Sequence, residues 1–383
     1  MHFDVCIIGG GASGTMAAIE IARHGKKVCV VDPNEKPAKK LLATGNGRCN
    51  LTNKNMSSDF YNQNIDKFLA RFGYNDTIKK FQEFGLDIYA DEEGRCYPIS
   101  NSAKTVQFVL CEQLEKLGVE YICAQVLDIQ NVGEYEIYAT NDVKIVASNI
   151  VFACGINEQS VLWLNRFGIK YEKICPSLAA LKTKQNTKTL DGQRVSNVLV
   201  TAKIGTQTKV ESGEILFKEH GLSGICIFNL SSFFAKNKAF LGKICVNLMQ
   251  NWSKNEIIEK LKYKMNIFEN AHKMLLSLFS KELSVEILKR ADVKIESSKL
   301  TDIEYEKIAD VICCLEFDVV DAYVNNQVLS GGVKLDELTE TLQSKANKNM
   351  FFCGEICDVD GVCGGYNLQW AWTSANIVAN AIK

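Results

Sequence analysis

Histidine and proline are scarce in this chain: four of each in 383 residues. So few histidines leave little material for a histidine base or a histidine-rich metal site. Only His220 falls in a loop-like context. The 15 cysteines contain no C-x-x-C, which argues against a dithiol centre of the disulfide-reductase kind. Cys313, Cys314, Cys353, Cys357 and Cys363 do not fall into metal-ligand spacing, so no metal is expected. The cysteines read as reduced, small buried hydrophobes. No apolar run reaches the ~20 residues that span a bilayer, and the N-terminus enters a strand without a basic leader, so a cytoplasmic chain without a membrane partner is expected. Lysine and arginine number 44 against 45 acidic residues, with neither sign in a long run. That balance leaves no electrostatic footprint for nucleic acid. A small-molecule substrate is the expected partner, and the oligomeric state stays open. Internal repeats, low-complexity tracts and proline-rich linkers are absent.

The length calls for two or three packed units. Phe3 to Ile8 form a short apolar run, followed by GGGASG, a helical stretch to Arg23, a stop at Gly25 and a strand from Val28 to Val31, which together predict a βαβ unit. Helices are expected near Ile65 to Phe84 and from Ala103 to Leu117. Strands follow around Glu120 to Gln130, Tyr135 to Ala139 and Ile150 to Ala153. From about Ala180 to Leu248 alternating strands with glycine and polar turns predict a β-rich unit. Lysine-rich amphipathic helices fill Lys254 to about Ile312. The strand Met350 to Cys353 and a helix from about Leu368 to Ile382 return to the first pattern. The expected architecture is α/β, with a discontinuous nucleotide domain at 1–180 and 334–383, a β-rich domain at 181–250 and 313–333, and a helical domain at 251–312.

Gly9, Gly11 and Gly14 make G-x-G-x-x-G between strand and helix. The first permits the turn, the second lets backbone approach a pyrophosphate, the third lets helix and strand pack closely. Ala12 and Ser13 open the helix whose N-terminus faces the phosphates. Asp32 ends the second strand, placed to accept hydrogen bonds from a ribose diol. This unit serves NAD or FAD alike. The C-terminal stretch MFFCGEICDVDGVCGGYNLQWAW decides between them: it resembles the second FAD motif of flavoproteins with two dinucleotide folds. There the acidic residue, here Glu355 after Gly354, takes a ribityl hydroxyl, and the last helix, opening at Gly365, Tyr366, Asn367 and Leu368, faces the isoalloxazine. Ala153, Cys154 and Gly155 resemble the middle A-T-G strand of the same fold.

The segment KLLATGNGRCNLTN (Lys40 to Asn53), with GRCYPIS, EILFKEHGLSG, SGGV and the C-terminal stretch, resembles the bacterial BaiN-like family, also called aminoacetone oxidase-like. The resemblance implies FAD, a Rossmann-type domain, an inserted β-barrel-like domain and a helical cap domain. Lys40, Thr44, Gly45, Arg48, Cys49 and Asn50 of that segment join the candidate cofactor contacts, as do Val126 and Asp360. Departures are visible: the family's longer glycine-rich run after the middle strand is replaced by Gly155 running straight into a helix, and Ile225-Cys226 stands where Pro-Ala is usual.

Arg48 could offset charge on a pyrophosphate or on reduced flavin, or could hold its own loop through carbonyls. Cys49 reads as a packed thiol. Tyr366, Asn367 and Gln369 could position flavin carbonyls or substrate, or cap and fill the core. Asp358 and Asp360 fit a turn that binds amides better than a catalytic pair, and no catalytic residue is assigned. With one G-x-G-x-x-G only, NAD(P)H would serve as a transient electron donor. The leading expectation is an FAD-dependent reductase or dehydrogenase passing hydride to a small organic substrate, including an activated C=C bond. An amine oxidase using oxygen and a non-catalytic flavin-binding protein stand as alternatives.

Overall fold

The computed structural model describes residues 1–236, 241–323 and 328–383. The chain divides into two compact units, Met1–Cys175 with Gln327–Lys383, and Pro176–Asn326.

The first unit is built on a seven-stranded sheet. Val28–Asp32, His2–Ile8 and Val143–Phe152 run parallel side by side, and Glu120–Cys123 extends the parallel edge beyond Val28–Asp32. The strand Val143–Phe152 has two partners on its other side. Its amino-terminal half pairs antiparallel with Tyr135–Ala139, and its last three residues pair parallel with Met350–Phe352. The C-terminal segment thus enters the sheet beside the middle strand. Val28–Val31 and Val5–Ile8 are buried on both faces, as the continuous apolar runs required.

Two helices pack together against this sheet. Ala12–Arg23 is buried from Ser13 through Ile21, and Tyr366–Ala381 from Gln369 through Ala379. The last helix is a core helix: Trp370 meets Phe68 edge-on at 5.6 Å, and Trp372 meets Phe81 at 5.1 Å. Both indole N–H groups are satisfied, Trp370 by the Gly354 carbonyl (3.1 Å) and Trp372 by the Leu51 carbonyl (2.9 Å). Full burial of such rings stabilises the fold by about 2–3 kcal/mol each. The helical region expected at Ile65 to Phe84 is broken into Asp66–Leu69 and Tyr74–Glu83, because Gly73 caps the second piece.

The second unit contains a closed barrel of Leu181–Thr183, Gly221–Ser223, Gln207–Lys218, Arg194–Ile204, Gly242–Asn247 and Leu315–Ala322. Alternation fills it: Val198, Val200, Ala202, Ile215, Phe217, Ile244, Val246 and Phe317 are buried. Four helices, Lys254–Met265, Ala271–Leu276, Lys281–Arg290 and Asp302–Cys313, join the same hydrophobic cluster. Each begins on a side-chain cap, Ser253, Asn270, Ser280 and Thr301 respectively.

Three sequence expectations need correction. Ile225–Lys236, placed among alternating strands, is a helix. Its ICIFNL run is aromatic and β-branched and shows no polar face, so periodicity gave no helical signal. Val328–Val333, placed in the β-rich segment, pairs with Tyr171–Ser177 outside the barrel. Cys245 and Cys314, expected reduced, form a disulfide with Cα atoms 4.9 Å apart. They lie 69 residues apart, which hid the pairing from local spacing. Among the described residues no helix is long and apolar enough to cross a membrane.

Phe217 and Phe317 meet inside the barrel at 6.1 Å. Phe217→Ala is expected to lower unfolding free energy by about 3–5 kcal/mol in a urea titration.

Candidate functional site

The first strand, first helix and middle strand meet at one closely packed point. A Cβ on Gly14 would lie 1.9 Å from the Gly9 carbonyl oxygen, and one on Gly9, at φ +102°, would lie 2.5 Å from the Cys154 Cα. Around Gly11 there is open space. Gly11 caps the first helix in extended conformation, with no side-chain cap and no acidic residue in the first turn. The N–H groups and positive end of that helix are free for an anion. Asp32 closes the turn from behind: Oδ2 accepts from the Gly10 N–H at 2.7 Å, and Oδ1 accepts from the backbone and side-chain N–H of Asn34, both at 2.8 Å. The carboxylate expected to bind a ribose therefore first orders the glycine turn, through Gly10, which sequence reading did not single out. Val126 opens the strand after Glu120–Cys123, and Ala124 just before it donates to the Asp32 carbonyl at 3.0 Å.

The C-terminal segment packs on the same turn. Gly354, at φ +77°, leaves room for Ser13, whose Oγ would be 2.2 Å from a Cβ there. Ser13 Oγ donates to the Cys353 carbonyl at 3.3 Å. Next to it Glu355 is held at both oxygens, Oε2 by Lys40 Nζ at 3.1 Å and Oε1 by the Leu329 N–H at 3.0 Å. Gly155 faces this pair. Residues from four distant stretches, Ser13, Lys40, Gly155 and Glu355, thus converge.

The loop Lys40–Asn50 runs along the cradle. Ala38, just before it, donates to the Gly10 carbonyl at 2.6 Å, while Asn50 at its end packs against Gly365, the cap of the last helix. Thr44 Oγ1 donates to the Leu41 carbonyl at 2.7 Å. Cys49 is fully buried, and burial pushes its thiol up to about 12; it is a packed thiol. Cys154 and Cys353 are raised to about 12 by the same cause. Arg48 donates from Nε to the Gly45 carbonyl (3.3 Å) and from Nη2 to the Tyr97 hydroxyl (3.4 Å), its guanidinium 4.2 Å from the Tyr97 ring centroid.

At the start of the last helix most side chains are engaged by the protein. Tyr366 stacks on Phe60 at 4.6 Å, and its carbonyl accepts from Tyr61 Oη at 2.8 Å. Asn367 bonds the Gly361 N–H and carbonyl at 2.9 and 2.8 Å. Leu368 packs against the core. Gln369, considered as a flavin or substrate contact, is a buried structural hub. Its Oε1 accepts from Thr52 and Thr77 at 2.6 and 2.9 Å, and its Nε2 donates to Thr373 at 3.0 Å. Left over are the backbone N–H groups of a first turn that has no side-chain cap and no acidic residue. Asp358 and Asp360 fasten loops. Asp358 accepts from Asn62 (3.1 Å) and Gln63 (2.7 Å), and Asp360 from Ser330 (2.9 Å). Burial, then neighbouring Asp360, pushes the Asp358 carboxyl above the usual carboxylate range, against the pull of the two amides. The amide pair at 62–63 and Tyr97 are the partners sequence reading missed; GRCYPIS carried the only signal for the latter.

Residues 3–381 match the family described as HI0933-like protein Rossmann domain. The chain belongs to the HI0933-like family. A Clostridium scindens protein named 3-dehydro-bile acid delta(4,6)-reductase is 29% identical over 98% of this chain and 98% of its own. An Escherichia coli (strain K12) protein named ribosomal RNA dihydrouridine synthase is 26% identical over 98% of this chain and 96% of its own. Among solved structures, 3-ketosteroid-delta4-(5alpha)-dehydrogenase from Rhodococcus jostii RHA1, in complex with 4-androstene-3,17-dione, covers 100% of this chain and 97% of its own at 13% identity and TM-score 0.50, a likeness of fold. The resemblance read from Lys40–Asn53 and the C-terminal stretch thus stands at the level of the HI0933-like family. Among the described residues no cluster of three metal-ligating side chains occurs.

Two substitutions separate packing from binding in this HI0933-like cradle. Gly14→Val is expected to cost about 3 kcal/mol or more, because backbone must move. Gly11→Val should leave the melting temperature near wild type yet abolish flavin retention on desalting, read by absorbance. Cysteine reactivity gives a third check: iodoacetamide at pH 8 is expected to label exposed Cys123 while Cys49, Cys154 and Cys353 stay unmodified by peptide mass.

Proposed function

We propose that this chain is an FAD-dependent oxidoreductase that reduces a carbon-carbon double bond conjugated to a carbonyl, with NAD(P)H as a transient electron donor. The observation that carries the reading is the pair of glycine-started helices, 12–23 and 366–381, both without a side-chain cap, brought together where Gly354 packs on Ser13. Two open positive helix ends in one unit suit a ligand with two separated electron-rich parts.

The residues present fit FAD. Gly11, Ala12 and Ser13 would hold the pyrophosphate, Asp32 with the backbone near Val126 the adenosine end, and Glu355 with Lys40 the ribityl chain. The first turn of the last helix, Gly365 to Leu368, would meet the pyrimidine edge of the flavin. Bound there, FAD supplies two-electron hydride chemistry. The protein's own part is electrostatic: the N-terminus of the last helix stabilises negative charge gathered on that edge, and the Lys40–Glu355 pair keeps the loop Lys40–Asn50 along the cradle.

The substrate class rests on chemistry shared by the two relatives' names. A 3-dehydro-bile acid with delta(4,6) unsaturation and the uracil ring that becomes dihydrouridine both present C=C conjugated to C=O. The second name brings a uridine of RNA within the class. Among the described residues one dinucleotide fold is found, so the nicotinamide would visit and leave.

The test is anaerobic. NADH or NADPH is expected to bleach the yellow protein, and 4-androstene-3,17-dione or a uridine-containing RNA to restore the colour with a reduced product seen by mass spectrometry. Reoxidation by oxygen alone after reduction with a primary amine would favour the oxidase. A protein bleached by neither donor would be left as a flavin carrier.

A further inference from the structure

Of seven arginines, five pair with carboxylates: Arg23 with Glu20, Arg95 with Asp91, Arg166 with Asp128, Arg194 with Glu214 and Arg290 with Glu286. Arg71 is exposed and donates to the Glu340 carbonyl. Arg48 differs. It is half-buried, and among the described residues no carboxylate lies within ion-pair distance of it. A guanidinium partly withdrawn from water without an anion is costly, so its placement here points to an anion supplied by a ligand. Its posture is already fixed: the Tyr97 face lies under it, and two of its five N–H groups go to the Gly45 carbonyl and the Tyr97 hydroxyl. Three N–H groups remain. The loop that carries it ends at Asn50 against Gly365, at the last helix, whereas the first helix is reached from the loop's other end, near Ala38.

We propose that Arg48 is an oxyanion-binding catalytic residue for the conjugated substrate and does not bind the pyrophosphate. This rests on the C=C reductase reading above. Hydride from the reduced cofactor adds to the β-carbon, the C=C electron pair shifts, and the carbonyl oxygen gains the negative charge of an enolate. A proton from water then completes the α-carbon, so the substrate gains two electrons and two hydrogens while the cofactor loses a hydride. Arg48, held in place beforehand, binds that oxygen most strongly when its charge is largest. Tyr97 is a positioning residue that keeps the guanidinium plane in one orientation.

The experiment compares FAD-loaded wild type with Arg48→Ala, Arg48→Lys and Tyr97→Phe by two readouts. The first is FAD dissociation constant against kcat/KM on the conjugated substrate. Arg48→Ala is expected to lower kcat/KM about 100- to 1,000-fold while FAD affinity changes less than about 3-fold. Arg48→Lys should recover about a tenth of wild-type activity or less, and Tyr97→Phe should act mainly on kcat. The second readout needs no turnover: 4-fluorophenol, an enolate mimic, is followed by 19F NMR. Wild type should lower the apparent pKa of the bound phenol by about one unit, and Arg48→Ala should remove that shift. If Arg48→Ala fails to fold, Arg48→Lys and Arg48→Gln carry the same comparison. A 10-fold or greater loss of FAD affinity with an unchanged phenol shift, or no change in either, overturns the proposal. If wild type reduces no conjugated substrate, the proposed function falls, and the phenol shift alone decides the role of Arg48.

Discussion

The first unit depends on one contact between backbones. With the Gly14 Cα set against the Gly9 carbonyl, no Cβ fits, and the first helix can begin directly over the carboxyl end of the first strand. That close start fixes Ser13, and Ser13 in turn receives Gly354. Without it the C-terminal segment would have no surface on which to turn from the strand Met350–Phe352 into the last helix. The two ends of the chain are joined here by steric necessity, and the sheet register carries the junction across Phe152, which pairs with both Ile8 and Phe352.

Around that contact the polar groups sort into two classes. Gln369, Thr373, Ser374 and Asn376 sit buried on the last helix, and every one is hydrogen-bonded within the protein. In a buried helix an unsatisfied amide would cost about 1–3 kcal/mol, so these residues lock the helix in place. The first-turn N–H groups of the first and last helices have no such partners. The helices Glu158–Arg166, Lys254–Met265, Ala271–Leu276, Lys281–Arg290 and Asp302–Cys313 take a serine, threonine or asparagine side chain as cap, whereas glycine at these two starts leaves the helix ends open.

Gly9, Gly11, Gly14 and Asp32 were legible because each obeys a rule local to a strand-turn-helix unit. Lys40–Asn53 and Gly354–Leu368 were legible as motifs, although not as neighbours: nothing in sequence spacing tells that Lys40 reaches Glu355 across 315 positions. Gln369 misled because an amide near a cofactor motif looks like a ligand contact until Thr52 and Thr77 are found beside it. Ile225–Lys236 misled for the opposite reason. Its first half, ICIFNL, is almost wholly apolar and gives no clear 3.6-residue stripe, and its aromatic and β-branched residues favour a strand on propensity alone.

The short stretch after Gly155 makes sense in the same terms. The helix Glu158–Arg166 also starts at the carboxyl end of a sheet strand, and it could have been a third open end. Asn157 closes it: its Oδ1 accepts from the Ser160 N–H at 2.9 Å, while Ser160 Oγ accepts from the Asn157 N–H at 2.8 Å. This reciprocal cap satisfies the helix internally. Of the helices that follow the strands His2–Ile8, Val143–Phe152 and Met350–Phe352, two offer their positive ends and the third is sealed by its own side chains. Beside the cradle the two glycine starts stay open, and the Arg48 guanidinium lies over the Tyr97 ring on the loop that runs between them.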